Sequence, residues 1–356
     1  MSDFSRRLIA WQHKHGRHDL PWSGADPYRV WLSEIMLQQT QVATVVGYFE
    51  RFLVRFPDIA ALAAASQEDV LALWSGLGYY ARARNLHRAA RIVMEQYGGQ
   101  FPRQPEQIQQ LPGIGRSTAA AIAAFCFNAR SPILDGNVKR VFARQFGMDG
   151  DPAARATEER MWQTAQALLP AAAAMPRYTQ ALMDLGATLC TRSRPRCDQC
   201  PVAASCVARA ENRVAELPSP RARRVKPNKS ARYLLAWRGD EVFLEIRPPA
   251  GIWGGLLVPP EIPPDAVAAD WCRRELGLNV AFERELAPLR HVFTHFVLDM
   301  RALVCRVQGS ANLAAEAHGR WVKAGQLAGA ALPAPVRLLL DAALSSARRA
   351  DSDIAE

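Results

Sequence analysis

Long apolar segments are missing from this chain of 356 residues, although hydrophobic residues make up 49% of it. No stretch is long and uncharged enough to cross a bilayer, so we expect no contact with a membrane. The first residues, MSDFSRR, also lack the apolar core of a signal region. We therefore expect a cytoplasmic protein that does not depend on disulfides.

Acidic residues are also in short supply. The chain has 34 Asp and Glu against 44 Lys and Arg, which leaves a formal net charge of +10. A surplus of this sign attracts polyanions, and nucleic acid is the leading candidate partner. The length is sufficient for two domains with separate cores.

The two halves of the chain differ in their periodicity. Strand-like alternation is scarce up to about Arg209, where Ala-rich segments repeat with helical spacing. After residue 230, strands are predicted by ARYLLAW, EVFLEI, FVLDMRALVCRV and RWV, with one helix around Ala266 to Leu276. Residues 212–230 are rich in Pro and Arg, which indicates a basic linker that cannot bury a core. We expect a helical domain over 1–211, an α+β domain over 231–350 and a tail over 351–356.

Cysteine is scarce, yet four of the seven cysteines are concentrated in one short segment. A C-x6-C-x2-C-x5-C run, suited to an all-thiolate metal site, is formed by Cys190, Cys197, Cys200 and Cys206. Zinc sites usually combine two C-x2-4-C pairs, and this run has one, so we favour a [4Fe-4S] cluster over zinc. A pair of disulfides is the weakest alternative. The other three cysteines are isolated among apolar residues and are poor ligand candidates.

A glycine-rich turn separates two helical patterns in LPGIGRSTAAAIAAF, residues 111–125. This arrangement predicts a helix-hairpin-helix. Gly113 and Gly115 would let the backbone approach a phosphate, and the helix that follows offers N–H donors at its positive end. The alternative is an ordinary turn between helices, but the basic charge of the chain favours contact with DNA.

Glu34 lies in a helical segment that begins at Pro27 after a possible Asp26 cap. Helical spacing places it on one face with Val30, Trp31, Gln38 and Gln41. A carboxyl flanked by a Trp and amides should be partly desolvated, which raises its pKa toward the range of a general acid at neutral pH. The alternative is a surface acid without a function.

Asp135, in SPILDGNVKRVFAR, precedes a basic helix and is a good N-cap. We expect backbone N–H groups and Lys139 or Arg140 to hold it ionised, as a fixed negative charge beside a developing cation. A protonated Glu34 and an ionised Asp135 would form a pair suited to cleaving glycosidic bonds through oxocarbenium-like states. The alternative is that Asp135 serves only as a cap.

Several segments together resemble the MutY family of adenine DNA glycosylases, within the endonuclease III superfamily. They are SEIMLQQTQVATV, WSGLGYYARARNL, LPGIGRSTAAAI, ILDGNVKRV and the cysteine run. The resemblance extends over essentially the whole chain. It implies an all-α helix-hairpin-helix glycosylase domain with an iron–sulfur subdomain at 190–206, followed by an α+β Nudix-like domain. It also implies a monomer, associated with the nucleoid if bacterial, that acts on double-stranded DNA containing A:8-oxoguanine or A:G mispairs.

The resemblance also implies roles for individual residues. Glu34 is similar to the acid that protonates the departing adenine, and Asp135 to the carboxylate that stabilises the sugar cation. The family's active-site tyrosine and nucleotide-holding groups are matched by Tyr79, Asn137 and Arg17. The side chain inserted into the duplex is matched by Gln39, and DNA contacts are implied for Gln38, Gly113, Gly115, Ser117 and Arg140. Base flipping is required because an acid cannot reach the glycosidic region inside stacked DNA.

Relatives that also cut the backbone carry a Lys where this chain has Ser117, so the resemblance implies a glycosylase without strong AP lyase activity. In the second half, RRELGL offers only Glu275 where a working Nudix box needs several glutamates for magnesium, which argues against a nucleotide hydrolase. The loop that reads 8-oxoguanine is matched by Phe293, Thr294 and His295, with Thr where the family usually has Ser. The remaining alternatives are a non-catalytic iron–sulfur DNA-binding or redox protein and a thymine or thymine-glycol glycosylase.

Overall fold

The computed structural model describes residues 1–219, 225–249, 251–309 and 319–353, with side chains described as far as residue 345. Residues 220–224 of the predicted linker and 354–356 of the predicted tail lie outside the described residues. The chain forms two compact units. The first combines Met1–Ala64 with Asn85–Arg223, and the second combines Ala65–Arg84 with Arg224–Glu356.

Helices dominate the chain up to residue 210, as the sequence predicts. In chain order they are α1 (Asp3–His15), α2 (Pro27–Leu37), α3 (Val42–Arg55), α4 (Ile59–Ala64), α5 (Gln67–Trp74), α6 (Ala81–Tyr97), α7 (Pro105–Gln109), α8 (Arg116–Phe127), α9 (Gly136–Gln145), α10 (Arg155–Ala167), α11 (Met175–Asp184) and α12 (Val207–Ala210). Later in the chain come α13 (Ala268–Trp271) and α14 (Ala334–Asp353). Along the described residues, no helix is both long enough and apolar enough to cross a bilayer.

Local capping chemistry explains where the helices near the predicted site begin. The Asp26 carboxylate accepts hydrogen bonds from the N–H groups of Tyr28 and Arg29, and Pro27 opens α2. Asp135 caps α9 in the same way, by accepting from Val138. Both caps are confirmed.

The core of the first unit fixes the position of α9. The buried side chains Val138, Val141 and Phe142 place one face of α9 in this core, together with Phe4 and Leu8 of α1. The rings of Phe4 and Phe142 meet edge to face at 6.3 Å. Each such buried side chain stabilises the fold by roughly 1.5–3 kcal/mol relative to an exposed one. The helix that Asp135 begins is therefore anchored along its length.

The predicted linker is partly integrated into this core. Leu217 is 2% exposed and belongs to the same buried cluster, and its carbonyl accepts a hydrogen bond from Arg144. Residues 212–230 were expected to be unable to bury a core of their own, and the structure adds that Leu217 docks this segment into the core of the first unit. Its far end also joins the sheet, since the first strand begins at Asn228.

One mixed sheet forms the second half of the chain. Its strands are β1 (Asn228–Arg238), β2 (Glu241–Ile246), β3 (Leu257–Val258), β4 (Glu261–Ile262), β5 (Val280–Glu285), β6 (Leu289–Val292), β7 (Val297–Val307) and β8 (Gly319–Lys323). The main strand order of the sheet is β3-β2-β1-β7-β5. In addition, β4 pairs with β1, β6 pairs with β7 and β8 pairs with β2. The central pair, β1 and β7, is parallel. The four predicted strands are confirmed.

The predicted helix of this half is also confirmed, as α13 continued by a wider turn through Cys272–Leu276. It packs on Leu234, Phe243 and Leu303 of the sheet. Glu275, the one acid of the Nudix-like segment, is paired with its neighbour Arg274 at 2.7 Å. The segment therefore offers magnesium one carboxylate, which is already paired with an arginine, as the low number of glutamates in the sequence suggests.

Candidate active site

Glu34 occupies the middle of α2, half-buried among side chains that are fully buried. Burial, and secondly the negative charge of Asp135, raise the pKa of Glu34 to about 8. The predicted upward shift is confirmed, and the carboxyl holds its proton at neutral pH. The predicted helical face was partly wrong, because α2 ends at Leu37. Gln38 follows the last turn and Gln41 precedes α3.

Asp135 lies close enough to Glu34 for the two charges to interact. Its Oδ1 accepts from the Val138 N–H at 2.8 Å, and its Oδ2 accepts from the Asn137 amide at 3.5 Å. Burial nevertheless raises the pKa of Asp135, against the lowering effect of these hydrogen bonds and of Arg140. Of the two basic residues expected to favour its ionised form, Arg140 does so, whereas Lys139 pairs with Glu158 at 2.8 Å.

Asn137 and Arg140 form a network behind the two acids. The Arg140 guanidinium donates to the Asn137 side-chain oxygen at 2.9 Å, to the Gly186 carbonyl at 2.7 Å and to the Cys190 carbonyl at 2.8 Å. Asn137 is therefore held with its amide directed at Asp135. These bonds engage Arg140 within the protein, and the DNA contact implied for it stays a prediction.

The hairpin between α7 and α8 has the expected form. Gly113 adopts a φ of +79°, and a Cβ there would lie 2.8 Å from the Cβ of Asn85, so only glycine fits. Gly115 has an ordinary φ, and a Cβ there would meet open space. The need for glycine at 113 thus comes from packing within the protein, whereas open space at 115 leaves room for a ligand. No side chain among the described residues caps the start of α8.

Two glutamines join α2 to this hairpin. Gln38 donates from its amide to the Gly113 carbonyl at 3.3 Å. Gln39 is exposed and has a φ of +58°, a conformation that costs a non-glycine residue free energy. The insertion of Gln39 into the duplex stays a prediction.

Ser117 has a structural contact within the protein. Its hydroxyl accepts from the N–H of Leu134 at 2.9 Å, and Leu134 immediately precedes Asp135. Ser117 therefore connects the hairpin helix to the segment that delivers the catalytic candidate. A contact between Ser117 and DNA stays a prediction.

Arg17 pairs with an acid that the sequence reading missed. Its Nε and backbone N–H bond the two carboxylate oxygens of Asp184 at 2.7 and 3.0 Å, and the Asp184 side chain is 1% exposed. Gln180 donates to the same carboxylate at 2.9 Å. Arg17 and Gln180 line a cavity of about 630 Å³ whose lining includes neither Glu34 nor Asp135. The signal for Asp184 was a lone acid within the apolar run ALMDLG.

Tyr79 belongs to the second unit, together with the predicted lesion-reading loop. Its ring is 46% exposed, its φ is +50°, and its hydroxyl lies 3.1 Å from the Thr294 hydroxyl. Sequence reasoning placed Tyr79 beside the acids and gave no indication of this contact, which joins residues 215 positions apart. The segment that carries Tyr79 bonds the sheet domain elsewhere, since Ser75 donates to the Leu332 carbonyl at 2.6 Å.

The triplet Phe293, Thr294 and His295 forms most of the loop between β6 and β7. Phe293 stacks on Phe296 with centroids 4.6 Å apart and also contacts Trp253. Thr294 and His295 are exposed. The packed aromatic side chains therefore hold the loop in place, and the exposed groups on it are the Thr294 hydroxyl and the His295 imidazole.

The four clustered cysteines line one cavity, together with Arg144, Arg196 and Arg209. All four thiols are free, which is inconsistent with the disulfide alternative. Burial, and to a smaller extent neighbouring Cys190 and Cys206, raise the pKa of the Cys200 thiol to about 11. Within the described ranges, no three His, Cys, Asp or Glu side chains are arranged as a preformed metal site. The donor set is right for thiolate ligation, and the ligation itself stays a prediction.

Comparisons with known proteins agree with this geometry. Residues 32–167 match the model for HhH-GPD superfamily base excision DNA repair proteins, and residues 232–342 match that for the NUDIX domain. The chain is 35% identical over 340 residues to the adenine DNA glycosylase of Buchnera aphidicola subsp. Acyrthosiphon pisum (strain APS), covering 95% of this chain and 97% of that one. Identity to the adenine DNA glycosylase of Homo sapiens is 44% over 216 residues, covering 58% and 39%.

Among solved structures, the chain is similar to a thermostable thymine-DNA glycosylase. The TM-score is 0.53 at 27% identity, covering 58% of this chain and 95% of that one. A structure of endonuclease III bound to DNA, at 20% identity and a TM-score of 0.51, shares the fold.

The hairpin, the helical core and the pair of half-buried acids define a DNA glycosylase of base excision repair that carries a Nudix domain. The predicted fold class is confirmed. The relatives narrow this class further, and the chain belongs to the adenine DNA glycosylase family.

Proposed function

We propose that the chain excises adenine mispaired with 8-oxoguanine or guanine in double-stranded DNA, by base flipping and acid-assisted hydrolysis. The observation that carries the proposal is the burial of the Glu34 carboxyl beside Asp135. Its carboxyl has a pKa near 8 beside the negative charge of Asp135. A neutral acid next to a carboxylate is what the cleavage of an N-glycosidic bond requires.

In the proposed reaction, Glu34 donates its proton to a ring nitrogen of the extruded adenine as the bond between base and sugar breaks. The electron pair of that bond leaves with the base, and the sugar becomes cationic. Ionised Asp135, held by Val138 and Asn137, stabilises the cation until water adds to the sugar carbon and gives up a proton to the Glu34 carboxylate, which restores the acid. Arg17, held by its ion pair with Asp184, would help to hold the reacting nucleotide.

We assign no lyase step to the protein. Such a step needs an amine that forms a Schiff base with the sugar, and Ser117 supplies a hydroxyl that already accepts from Leu134. The product should therefore be an intact strand with an abasic site.

The sheet domain is proposed to read the base opposite the adenine. Thr294 and His295 are exposed on a loop whose aromatic side chains are packed together. Their hydrogen-bonding groups are therefore presented from a rigid support. Tyr79, hydrogen-bonded to Thr294, is proposed to act with this loop.

A [4Fe-4S] cluster is proposed as the resident cofactor, held by Cys190, Cys197, Cys200 and Cys206. It would tie the loop from Cys190 to Cys206 to the end of α9, and so support the fold near the DNA-binding surface. No step of the hydrolysis passes through it.

Single-turnover excision on duplexes with A opposite 8-oxoguanine, A opposite G, A opposite T and T opposite G tests the proposal. We expect adenine release from the first two and from neither of the others, with strand cleavage only after alkali. Borohydride should trap no protein–DNA adduct. Release of thymine in preference to adenine, or an efficient borohydride adduct, would contradict the assignment.

A further inference from the structure

Arg144 is a buried cation in the last turn of α9, with 4% of its surface exposed. Its Nε donates to the Leu217 carbonyl at 2.8 Å, and its Nη1 donates to the Thr191 carbonyl at 2.7 Å. A third bond reaches the Arg192 carbonyl at 3.2 Å. One guanidinium thus joins the chain just after Cys190 to the chain beyond Cys206.

The same group also reaches a cysteine sulfur. Nη1 of Arg144 lies 3.5 Å from Sγ of Cys190, and the carbonyl of Arg144 accepts from Sγ of Cys206 at 3.5 Å. The next residue, Gln145, is equally buried and donates to the Ser205 carbonyl at 2.9 Å. The end of α9 is therefore bonded to the segment 190–206 near both its first and its last cysteine.

The charge of Arg144 has no carboxylate partner among the described residues. Arg196 and Arg209 line the same cavity, whose lining includes no Asp or Glu, and Arg209 pairs with Asp198 outside it at 2.9 Å. A buried charge without a counter-charge costs several kcal/mol, and the negative end of the α9 dipole offsets only part of that cost. A metal centre with four thiolates is an anion, and in this cavity it would supply the counter-charge that Arg144 lacks.

We propose that Arg144 is a positioning residue and counter-charge for the metal–thiolate centre, slowing loss of the metal and favouring the reduced state of a cluster. The inference rests on the proposed [4Fe-4S] cofactor. Each added electron makes the centre more negative, so a fixed cation beside Cys190 stabilises the reduced form more than the oxidised form. The three carbonyl bonds act separately, by holding the loop closed around the centre.

Two substitutions separate these effects. Arg144→Met keeps the bulk of the stem without charge or donors, whereas Arg144→Lys keeps the charge but cannot span the three carbonyls. Arg130→Met is the matched control, because Arg130 also donates to loop carbonyls, those of Leu169 and Pro170, and does not line the cysteine cavity. Anaerobically purified full-length proteins are compared by iron content, iron release to a chelator and reduction potential without DNA.

For Arg144→Met we expect iron release at least tenfold faster than in wild type. At a fixed potential, the reduced-to-oxidised ratio should fall about tenfold, equivalent to about 59 mV for one electron. Arg144→Lys should release iron faster while keeping a potential close to wild type, and Arg130→Met should match wild type in both. If Arg144→Met does not fold, the lysine variant decides, and iron release equal to wild type overturns the proposal.

Wild-type potential and iron release in a folded Arg144→Met protein would also overturn the role of Arg144 while leaving the cluster in place. A wild-type protein that contains zinc or no metal overturns the cofactor assignment itself, and this is known before any variant is compared.

Discussion

The helical unit and the sheet unit use opposite means to make side chains functional. In the helical unit, Glu34 and Asp135 are half-buried, and desolvation raises the pKa of both carboxyls. In the sheet unit, Thr294 and His295 are exposed on a loop supported by stacked aromatic rings. Chemistry requires a changed protonation state, which needs burial, whereas recognition requires accessible groups in fixed positions.

Backbone strain appears beside both regions. Gln39, after the Glu34 helix, and Tyr79, bonded to Thr294, both have a positive φ and exposed side chains. Such conformations cost about 1 kcal/mol or more and persist where the surrounding structure imposes them. Each region therefore holds one exposed side chain in a direction that an unstrained backbone would not give it.

The largest expected effect lies in the helical unit. Glu34→Gln and Asp135→Asn should each slow single-turnover adenine excision by roughly 10²–10⁴-fold, because one removes the transferable proton and the other the charge beside the cation. DNA affinity should change little. Glu95→Gln, an exposed substitution on α6, is the control. A Glu34→Gln enzyme within a few-fold of wild type would remove Glu34 from the reaction.

Burial of Glu34 should also carry a stability cost that depends on pH. Below pH 4.5 the folded and unfolded states both hold the proton, and from there to about pH 8 only the unfolded state releases it. Glu34 therefore lowers the free energy of unfolding least at low pH. The protein loses stability as the pH rises through this window, because the unfolded state releases the proton more readily. Relative to wild type, we expect Glu34→Gln to gain stability between pH 4.5 and pH 8.5, by at most about 5 kcal/mol for a pKa raised from 4.5 to about 8. Urea denaturation at the two pH values measures it, and equal differences at both would contradict a buried neutral Glu34.

In the sheet unit, the expected loss is smaller and selective. Thr294→Ala should reduce the preference for A:8-oxoguanine over A:G by about tenfold. A reduction of this size is expected when one hydrogen bond between the loop and the oxidised base is lost. Thr294→Ser keeps the hydroxyl and should retain the preference. The ratio of excision rates on the two duplexes is the measurement, and an unchanged ratio in Thr294→Ala would show that the loop does not read the lesion.

Tyr79→Phe removes only the hydroxyl that meets Thr294, and a reduction of about two- to threefold in the same ratio is expected. Excision opposite G should be nearly unchanged. An equal loss on both duplexes would instead place Tyr79 with the acids, as the sequence alone suggested.

These point variants are cleaner than removal of the sheet domain. The segment Ala65–Arg84 forms a unit with that domain, through bonds such as Ser75 to Leu332 and Arg84 to Gly254. Deleting the chain beyond about residue 230 would strip the partners of this segment as well as the reading loop. A changed preference in the truncated protein would therefore have two causes.

Local patterns predicted much of this architecture. The caps at Asp26 and Asp135, the hairpin turn and strands β1, β2, β7 and β8 follow from neighbouring residues, and all are observed. Strands β3, β4, β5 and β6 and helix α14 were not predicted, and β3 and β4, with two residues each, are too short to show periodicity. The buried role of Leu217 was missed because its neighbours are polar.

Contacts between distant residues were beyond sequence reasoning. The pairs Arg17–Asp184 and Tyr79–Thr294 join positions 167 and 215 residues apart, and no local pattern specifies them. The pKa of Asp135 was misjudged for a related reason. Its hydrogen bonds could be read from the cap motif, but its burial depends on elements elsewhere in the chain.

The central claim is that Glu34 is a neutral acid at physiological pH because it is buried beside Asp135. The pH dependence of single-turnover adenine excision, measured with saturating enzyme between pH 5 and about 9.5, tests it most directly. The account predicts a rate that is level toward neutrality and falls about tenfold per pH unit above about pH 8, with the break at lower pH in the residual activity of Asp135→Asn. A rate that falls above pH 4.5, or stays level throughout the alkaline range, would contradict it.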